Sequence, residues 1–107
     1  MSKSKGKRFI VRLMNDAQYY VSIDVMRELN SLDNRLVRML KNSKDIDENT
    51  IREVIGGMRM LVKSKGKRIK DELIVSSDII IPAVDISIDE VRKVFKGEGI
   101  IPEALLD

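Results

Sequence analysis

Apolar and polar residues alternate with a period of two along the first part of the chain. In residues 9–13 the apolar side chains of Phe9, Val11 and Leu13 fall on one face, which predicts a short strand. Residues 14–16 predict a turn, and residues 18–21 predict either a second strand that completes a hairpin or an early helical turn. The pattern therefore predicts a small β element in this part of the chain.

A helical period of apolar residues begins after Ser22, which is a suitable N-cap for a first long helix. The stripe recurs every three or four residues up to Asn42 and consists of Val25, Leu29, Leu32, Leu36, Met39 and Leu40. Asp47 or Asn49 can cap a second helix. Because the polar connection between the two helices is short, we expect an antiparallel helical hairpin.

The second helix has two predicted end points. Either it continues over residues 50–73, or it ends near Lys65 because Gly66 weakens it, which leaves residues 63–70 as a basic loop. In the continuous helix, the apolar face holds Ile51, Ile55, Met58, Val62, Ile69 and Leu73. The basic face holds Arg52, Arg59, Lys63, Lys67 and Lys70. The sequence leaves the choice between helix and loop open.

The last third of the chain predicts two extended segments and one short helix. Residues 72–75 and 79–84 are the extended segments, and Pro82 places the second at a sheet edge or at the end of a strand. Ser87 and Glu90 form a capping box that starts a helix through Phe95 or Lys96, and Gly97 ends it. The residues after it predict one last turn at 103–106. We expect the apolar side chains of this C-terminal tail to dock on this protein or on another: Ile100, Ile101, Leu105 and Leu106.

These elements predict a helix-dominated α+β fold, in which an antiparallel helical hairpin packs with a small β element and a short C-terminal helix. Residues 1–8 predict a flexible basic arm and residues 9–107 a single small domain.

Composition narrows the chemistry. The chain has no cysteine and no histidine, which removes thiolate nucleophiles, the usual general base near neutral pH and the usual zinc ligands. We therefore expect a protein that is not an enzyme and that holds no cofactor and no metal. No apolar run reaches the roughly 18 residues that span a bilayer, so we expect a cytoplasmic protein without a membrane partner. The abundance of Lys, Glu and Ile resembles thermophile composition.

Charge is distributed unevenly along the chain. Residues 1–70 hold 17 Lys and Arg against 8 Asp and Glu, whereas residues 71–107 hold 3 against 9. The hexapeptide Lys-Ser-Lys-Gly-Lys-Arg occurs twice, at residues 3–8 and 63–68. Clustered cations of this kind are typical of phosphate-backbone binding. The predicted nucleic-acid-binding residues are Lys3, Lys5, Lys7, Arg8, Arg59, Lys63, Lys65, Lys67, Arg68 and Lys70.

Apolar residues predict contacts of another kind. Phe9, Tyr19 and Tyr20 either belong to the core or stack on unpaired bases. Met58 and Met60 cannot face the same way on a helix, so one of them is partly exposed. This exposure, with the heptad-like stripes and the apolar tail, predicts a homodimer or a protein partner.

The sequence thus predicts a non-enzymatic nucleic-acid-associated protein that binds the phosphate backbone, with the type of nucleic acid undetermined. The alternative is an interaction or accessory subunit of a larger, nucleic-acid-processing or other assembly, which docks through apolar helix faces and the C-terminal tail.

Overall fold

A four-stranded sheet forms the base of the molecule. The computed structural model describes residues 7–42, 47–73 and 75–106. Its strands are β1 (Arg8–Leu13), β2 (Gln18–Ser22), β3 (Lys67–Arg68) and β4 (Ile79–Ile81). They lie in the order β3-β2-β1-β4; β1 pairs with β2 and β2 with β3 in antiparallel fashion, whereas β4 runs parallel to β1. The sheet therefore has β3 and β4 as its two edges in the described part of the chain.

The predicted hairpin of β1 and β2 is confirmed, and the alternative of an early helical turn is wrong. Its turn places Asn15 at φ 64°, a left-handed conformation that asparagine adopts more readily than most residues. Leu13 donates its backbone N–H to the Ala17 carbonyl at 2.9 Å, which closes the turn.

The described residues also form three helices and one 3₁₀ turn. They are α1 (Ile23–Asn42), α2 (Glu48–Lys65), α3 (Ile88–Val94) and a 3₁₀ helix (Glu103–Leu106). The predicted caps are confirmed, because Ser22 Oγ accepts from the Val25 N–H, Asp47 caps α2 and Ser87 Oγ accepts from the Glu90 N–H. The helix-dominated α+β class is confirmed. The antiparallel hairpin of α1 and α2 stays a prediction, although Lys65 at the end of α2 pairs with Glu28 near the start of α1, as such a hairpin requires.

One face of the sheet packs against α1 and α2. Phe9, Val11 and Leu13 of β1 point to this side, as their alternation predicts, and are buried. Ile79 and Ile81 of β4 join them from the edge, in register with Val11 and Leu13. The opposite face of the sheet carries the exposed and half-buried positions of the same strands.

Two sequence predictions are wrong. A continuous helix over residues 50–73 does not form: α2 ends at Lys65 with Gly66 as its C-cap, and the next two residues pair with β2 as β3. Ile69 and Leu73 therefore do not extend the apolar face of α2, and Lys67 and Lys70 do not extend its basic face. Residues 72–75 form no strand among the positions that are described there; Asp71 and Glu72 make a turn instead.

The end of the chain docks on its own core. Ile101 is buried, and Ile100, Leu105 and Leu106 pack against the core from half-buried positions. The predicted docking of the tail on this protein is confirmed. The division into an arm at residues 1–8 and a domain at 9–107 stays a prediction: residues 1–6 lie outside the described residues, and Arg8 belongs to β1.

Candidate functional site

An apolar groove lies beside the edge strand β4. It encloses about 500 Å³ and is lined by Met14, Asn15, Ile80, Pro82, Ala83, Ile86, Glu90 and Val94. Among these lining residues Glu90 alone is charged. Ile80 is 49% exposed, and Met14 and Val94 also leave more than a third of their surface in water. Such a recess of exposed apolar side chains is characteristic of binding surfaces.

Local sequence explains the position of the groove. The run Ile79–Ile81 alternates buried, exposed, buried, so it must expose its central side chain while its neighbours enter the core. Pro82 then ends the strand, because its ring nitrogen has no N–H to donate. Arg59 of α2 donates a hydrogen bond to the Pro82 carbonyl at 3.0 Å and ties the chain to the helix at this point. Ser87 starts α3, whose Glu90 and Val94 form the opposite wall.

A buried carboxylate fixes the segment that follows α3. Asp33 lies in the middle of α1, fully buried, and accepts the backbone N–H groups of Ile100 and Ile101 at 3.0 Å each. Burial raises the pKa of the Asp33 carboxyl, and these two N–H donors oppose the rise. Gly99 has a φ of +87°, and a Cβ at this position would overlap the carboxylate. We call Asp33 and its two donors the tail clamp.

A basic hollow lies at the other edge of the sheet, beside β3. It encloses about 340 Å³ and is lined by Arg8, Tyr20, Lys67, Arg68, Ile69, Lys70 and Leu73. The Arg8 guanidinium carbon lies 4.3 Å from the centre of the Tyr20 ring, a cation–π contact across neighbouring strands. Lys67 is the partner of Tyr20 on the opposite strand, so both side chains belong to the outer face of the sheet. The C-terminal ends of the two hexapeptide copies therefore meet in this hollow.

Seven of the ten predicted nucleic-acid-binding residues fall into two groups in the structure. Arg8, Lys67, Arg68 and Lys70 come together in the basic hollow. Arg59, Lys63 and Lys65 line neither the hollow nor the groove: Arg59 binds the Pro82 carbonyl, and the other two form ion pairs. Lys7 lies over the Phe9 ring at 5.4 Å. Lys3 and Lys5 lie outside the described residues.

The ion pairs of α2 link the helix to other elements. Lys63 Nζ lies 3.0 Å from Asp16 in the hairpin turn, and Lys65 Nζ lies 3.4 Å from Glu28 on α1. The hydrogen bond from Lys63 lowers the pKa of the Asp16 carboxyl, and a hydrogen bond from the Tyr19 hydroxyl acts in the same direction. Burial raises the pKa of Tyr19. These cations are therefore already partly neutralised by the fold.

The aromatic residues belong mainly to the core. Phe9 and Tyr19 are buried, so neither ring is available to stack on a base. Tyr20 is half-buried, and one face of its ring is covered by Arg8. The predicted difference between the two methionines of α2 is confirmed: Met58 is fully buried and Met60 is 70% exposed.

Sequence reasoning missed the groove and the tail clamp. The sequence does indicate that Asp33 is buried, because this residue stands four residues after Leu29 and three before Leu36, on the apolar stripe of α1. A carboxylate at such a position must find hydrogen-bond donors in the core. The groove had the weaker signal of three successive isoleucines before a proline.

The described part of the chain holds no group of three or more Asp and Glu side chains arranged to bind a metal ion. Over the same residues, no helix combines the length and the apolar character needed to cross a membrane.

Fold and surface together define a small α+β protein with an apolar groove at one edge of its sheet and a basic hollow at the other. The family model of the PspA-associated proteins, PspAA, matches residues 9–103, and the chain belongs to this family. Comparisons with curated proteins and with solved structures gave no significant match.

Proposed function

We propose that this protein is a non-catalytic accessory partner of PspA and binds it directly through the apolar groove. Membership of a family described as PspA-associated supports PspA as the partner. The observation that carries the proposal is the groove itself, because exposed apolar side chains around a recess gain free energy when a second protein covers them.

The groove suits an apolar anchor side chain from the partner. Six of its eight lining residues are apolar, and Glu90 offers a carboxylate to a Lys or Arg beside the anchor. The outer edge of β4 has no neighbouring strand in the described part of the chain, so its backbone can pair with an extended segment that enters the groove.

Binding to purified PspA tests the proposal. Isothermal titration calorimetry of the wild-type protein should give a saturable interaction. Ile80→Asp should weaken it more than about tenfold, because a carboxylate replaces an apolar anchor surface at the centre of the groove. Met60→Asp is the matched control, since Met60 is also exposed but lies on α2 outside the groove. Absence of binding by the wild-type protein would refute the proposed function.

The same experiment tests separately whether PspA is the partner and whether the groove is the surface that binds it. Equal affinities for Ile80→Asp and Met60→Asp would keep PspA as the partner and remove the groove as its binding surface. Sedimentation of the protein alone tests the homodimer that the sequence predicts from the heptad-like stripes, the exposed methionine and the apolar tail.

Nucleic-acid binding remains a sequence prediction that no comparison supports. Those of its predicted residues that the structure describes are divided between the hollow and intramolecular contacts, so the hollow is the surface on which a polyanion should be tested.

A further inference from the structure

We infer that the basic hollow is a second contact site, which binds an acidic segment of the protein partner with a carboxylate held by Arg8. This inference rests on the proposed function for the identity of the partner. Its physical basis is independent of the groove, because the hollow lies at the opposite edge of the sheet.

Arg8 is positioned for this role before any ligand arrives. Its guanidinium lies 4.3 Å from the centre of the Tyr20 ring, and Tyr20 is held between β1 and β3. Stacking uses the flat face of a guanidinium and leaves its in-plane N–H groups for a carboxylate. A side chain that is already ordered loses less conformational entropy when it binds, and a paired fork of hydrogen bonds is the strongest arrangement for this anion.

The hollow has an excess of positive charge. Four of its seven lining residues are cationic, and none is acidic. Arg68 pairs with Asp71 at 3.2 Å, but among the described residues no ion pair involves Arg8, Lys67 or Lys70. Three cations therefore remain available to oppose carboxylates of a ligand.

The remaining lining residues favour a peptide over a nucleic-acid backbone. Leu73 lines the hollow and is 52% exposed, whereas Ile69 is buried beneath the surface, so the hollow offers aliphatic contact through Leu73 next to its charges. An acidic segment with apolar side chains matches both. A nucleic acid would instead need a continuous track of free cations, but Lys63 and Lys65 are paired to Asp16 and Glu28.

The test compares three probes: PspA, a synthetic peptide of alternating Glu and Leu, and a single-stranded oligonucleotide of the same net charge. The variant Arg8→Gln with Lys67→Gln removes two cations from the hollow. Arg38→Gln with Lys41→Gln is the matched control, because it removes the same residue types from an exposed part of α1. Affinity is measured by fluorescence anisotropy at several salt concentrations.

The hollow variant should bind both PspA and the peptide about five- to tenfold more weakly than the control variant, with a shallower dependence on salt. Arg8→Lys should recover only part of the loss, since an ammonium keeps the charge but cannot offer a planar fork. Partial recovery separates this role from a general effect of charge.

Four outcomes distinguish this inference from the proposed function. If the hollow variant and the control variant both bind PspA as strongly as the wild-type protein does, the hollow is not a contact site and the proposed function stays intact. Failure of PspA to bind, with peptide binding that the hollow variant loses, refutes the proposed function and supports the hollow. An oligonucleotide that binds more tightly than the peptide overturns the inference in favour of phosphate. Binding of no probe also overturns it.

Discussion

The two edges of the sheet present opposite chemistry, although only β1 and β2 separate them. The β4 edge borders an apolar groove with Glu90 as the single charge among its lining residues, whereas the β3 edge borders a hollow with four cations around Tyr20. Both recesses combine a short edge strand with segments distant in sequence. The groove takes Met14 and Asn15 from the turn between β1 and β2, and the hollow takes Arg8 from β1.

This difference shows that the fold gathers part of the uneven charge of the chain at one edge of the sheet and leaves the other edge mainly apolar. Contact at the groove depends on burial of apolar area, which salt hardly weakens, whereas contact at the hollow depends on charges that salt screens. The tail clamp holds Ile100 and Ile101, which follow soon after α3, and α3 supplies Glu90 and Val94 to the groove. Damage to the clamp should therefore affect one edge more than the other.

Gly99→Ala should give the largest effect. The new Cβ would overlap the Asp33 carboxylate, and the φ of +87° is unfavourable for alanine, so both the strain and the loss of the clamp contribute. We expect a loss of roughly 3–6 kcal/mol in the free energy of unfolding, measured by urea denaturation. Gly97→Ala is the control, because its φ is +71° but no atom lies within 4 Å of the added Cβ. A loss of about 1–2 kcal/mol is expected there.

Asp33→Ala should destabilise the protein by about 2–4 kcal/mol, because it leaves the N–H groups of Ile100 and Ile101 without their acceptor. Hydrogen exchange should accelerate at these two amides, and affinity at the groove should fall more than affinity at the hollow. Asn34→Ala, the exposed neighbour on α1, is the control and should be close to neutral. Equal weakening of both edges would show that the clamp supports the whole molecule rather than the groove side.

Much of the fold was predictable because local physics decides it. Alternation in β1 placed Phe9, Val11 and Leu13 in the core, and the caps at Ser22 and Ser87 start helices where the sequence places them. The sequence left the end of α2 open between Lys65 and residue 73, and the structure has the end near Lys65 that Gly66 indicates. Residues after Gly66 continue a helical pattern, but Lys67 and Arg68 instead pair with β2, a tertiary contact that propensity does not contain.

The hollow and the tail clamp were less predictable because each brings together residues that are far apart in the sequence. The predicted cation set includes Arg8, Lys67, Arg68 and Lys70, which the fold brings together, but it also includes lysines that the fold pairs with acids. The clamp joins residues 67 and 68 positions apart. A single sequence shows that Asp33 needs donors, yet it does not show which backbone supplies them.

Acidification should change the contributions of the Asp33 and Asp16 carboxyl groups to folding stability in opposite directions. Burial raises the folded-state pKa of Asp33 above 3.8, so this group favours the folded state increasingly as the pH falls through that raised value towards 3.8. The hydrogen bond from Lys63 lowers the folded-state pKa of Asp16 below 3.8. Its contribution is therefore present above pH 3.8 and is lost as the pH falls through the lowered value.

Urea denaturation across this pH range, for wild type, Asp33→Asn and Asp16→Asn, checks both signs. The stability advantage of wild type over Asp16→Asn should shrink below pH 3.8, and its balance against Asp33→Asn should shift in favour of wild type just above that pH. Both effects should be smaller than the loss caused by Asp33→Ala. Parallel curves for the two variants would show that the two carboxylates do not differ in environment.

Lys63→Gln with Lys65→Gln should have the smallest effect on binding of the Glu-Leu peptide. This variant therefore tests whether the hollow itself, and not positive charge elsewhere on the protein, binds the ligand. These two lysines belong to the predicted nucleic-acid-binding set, but they pair with Asp16 and Glu28 outside the hollow. Exposed ion pairs contribute about 0–1 kcal/mol to stability, so the variant should remain folded. Its affinity for the Glu-Leu peptide should stay within about twofold of wild type, against a five- to tenfold loss for Arg8→Gln with Lys67→Gln. Because both variants lose two positive charges, equal losses would mean that ligands sense the net charge of the protein, and the hollow would then have no special role.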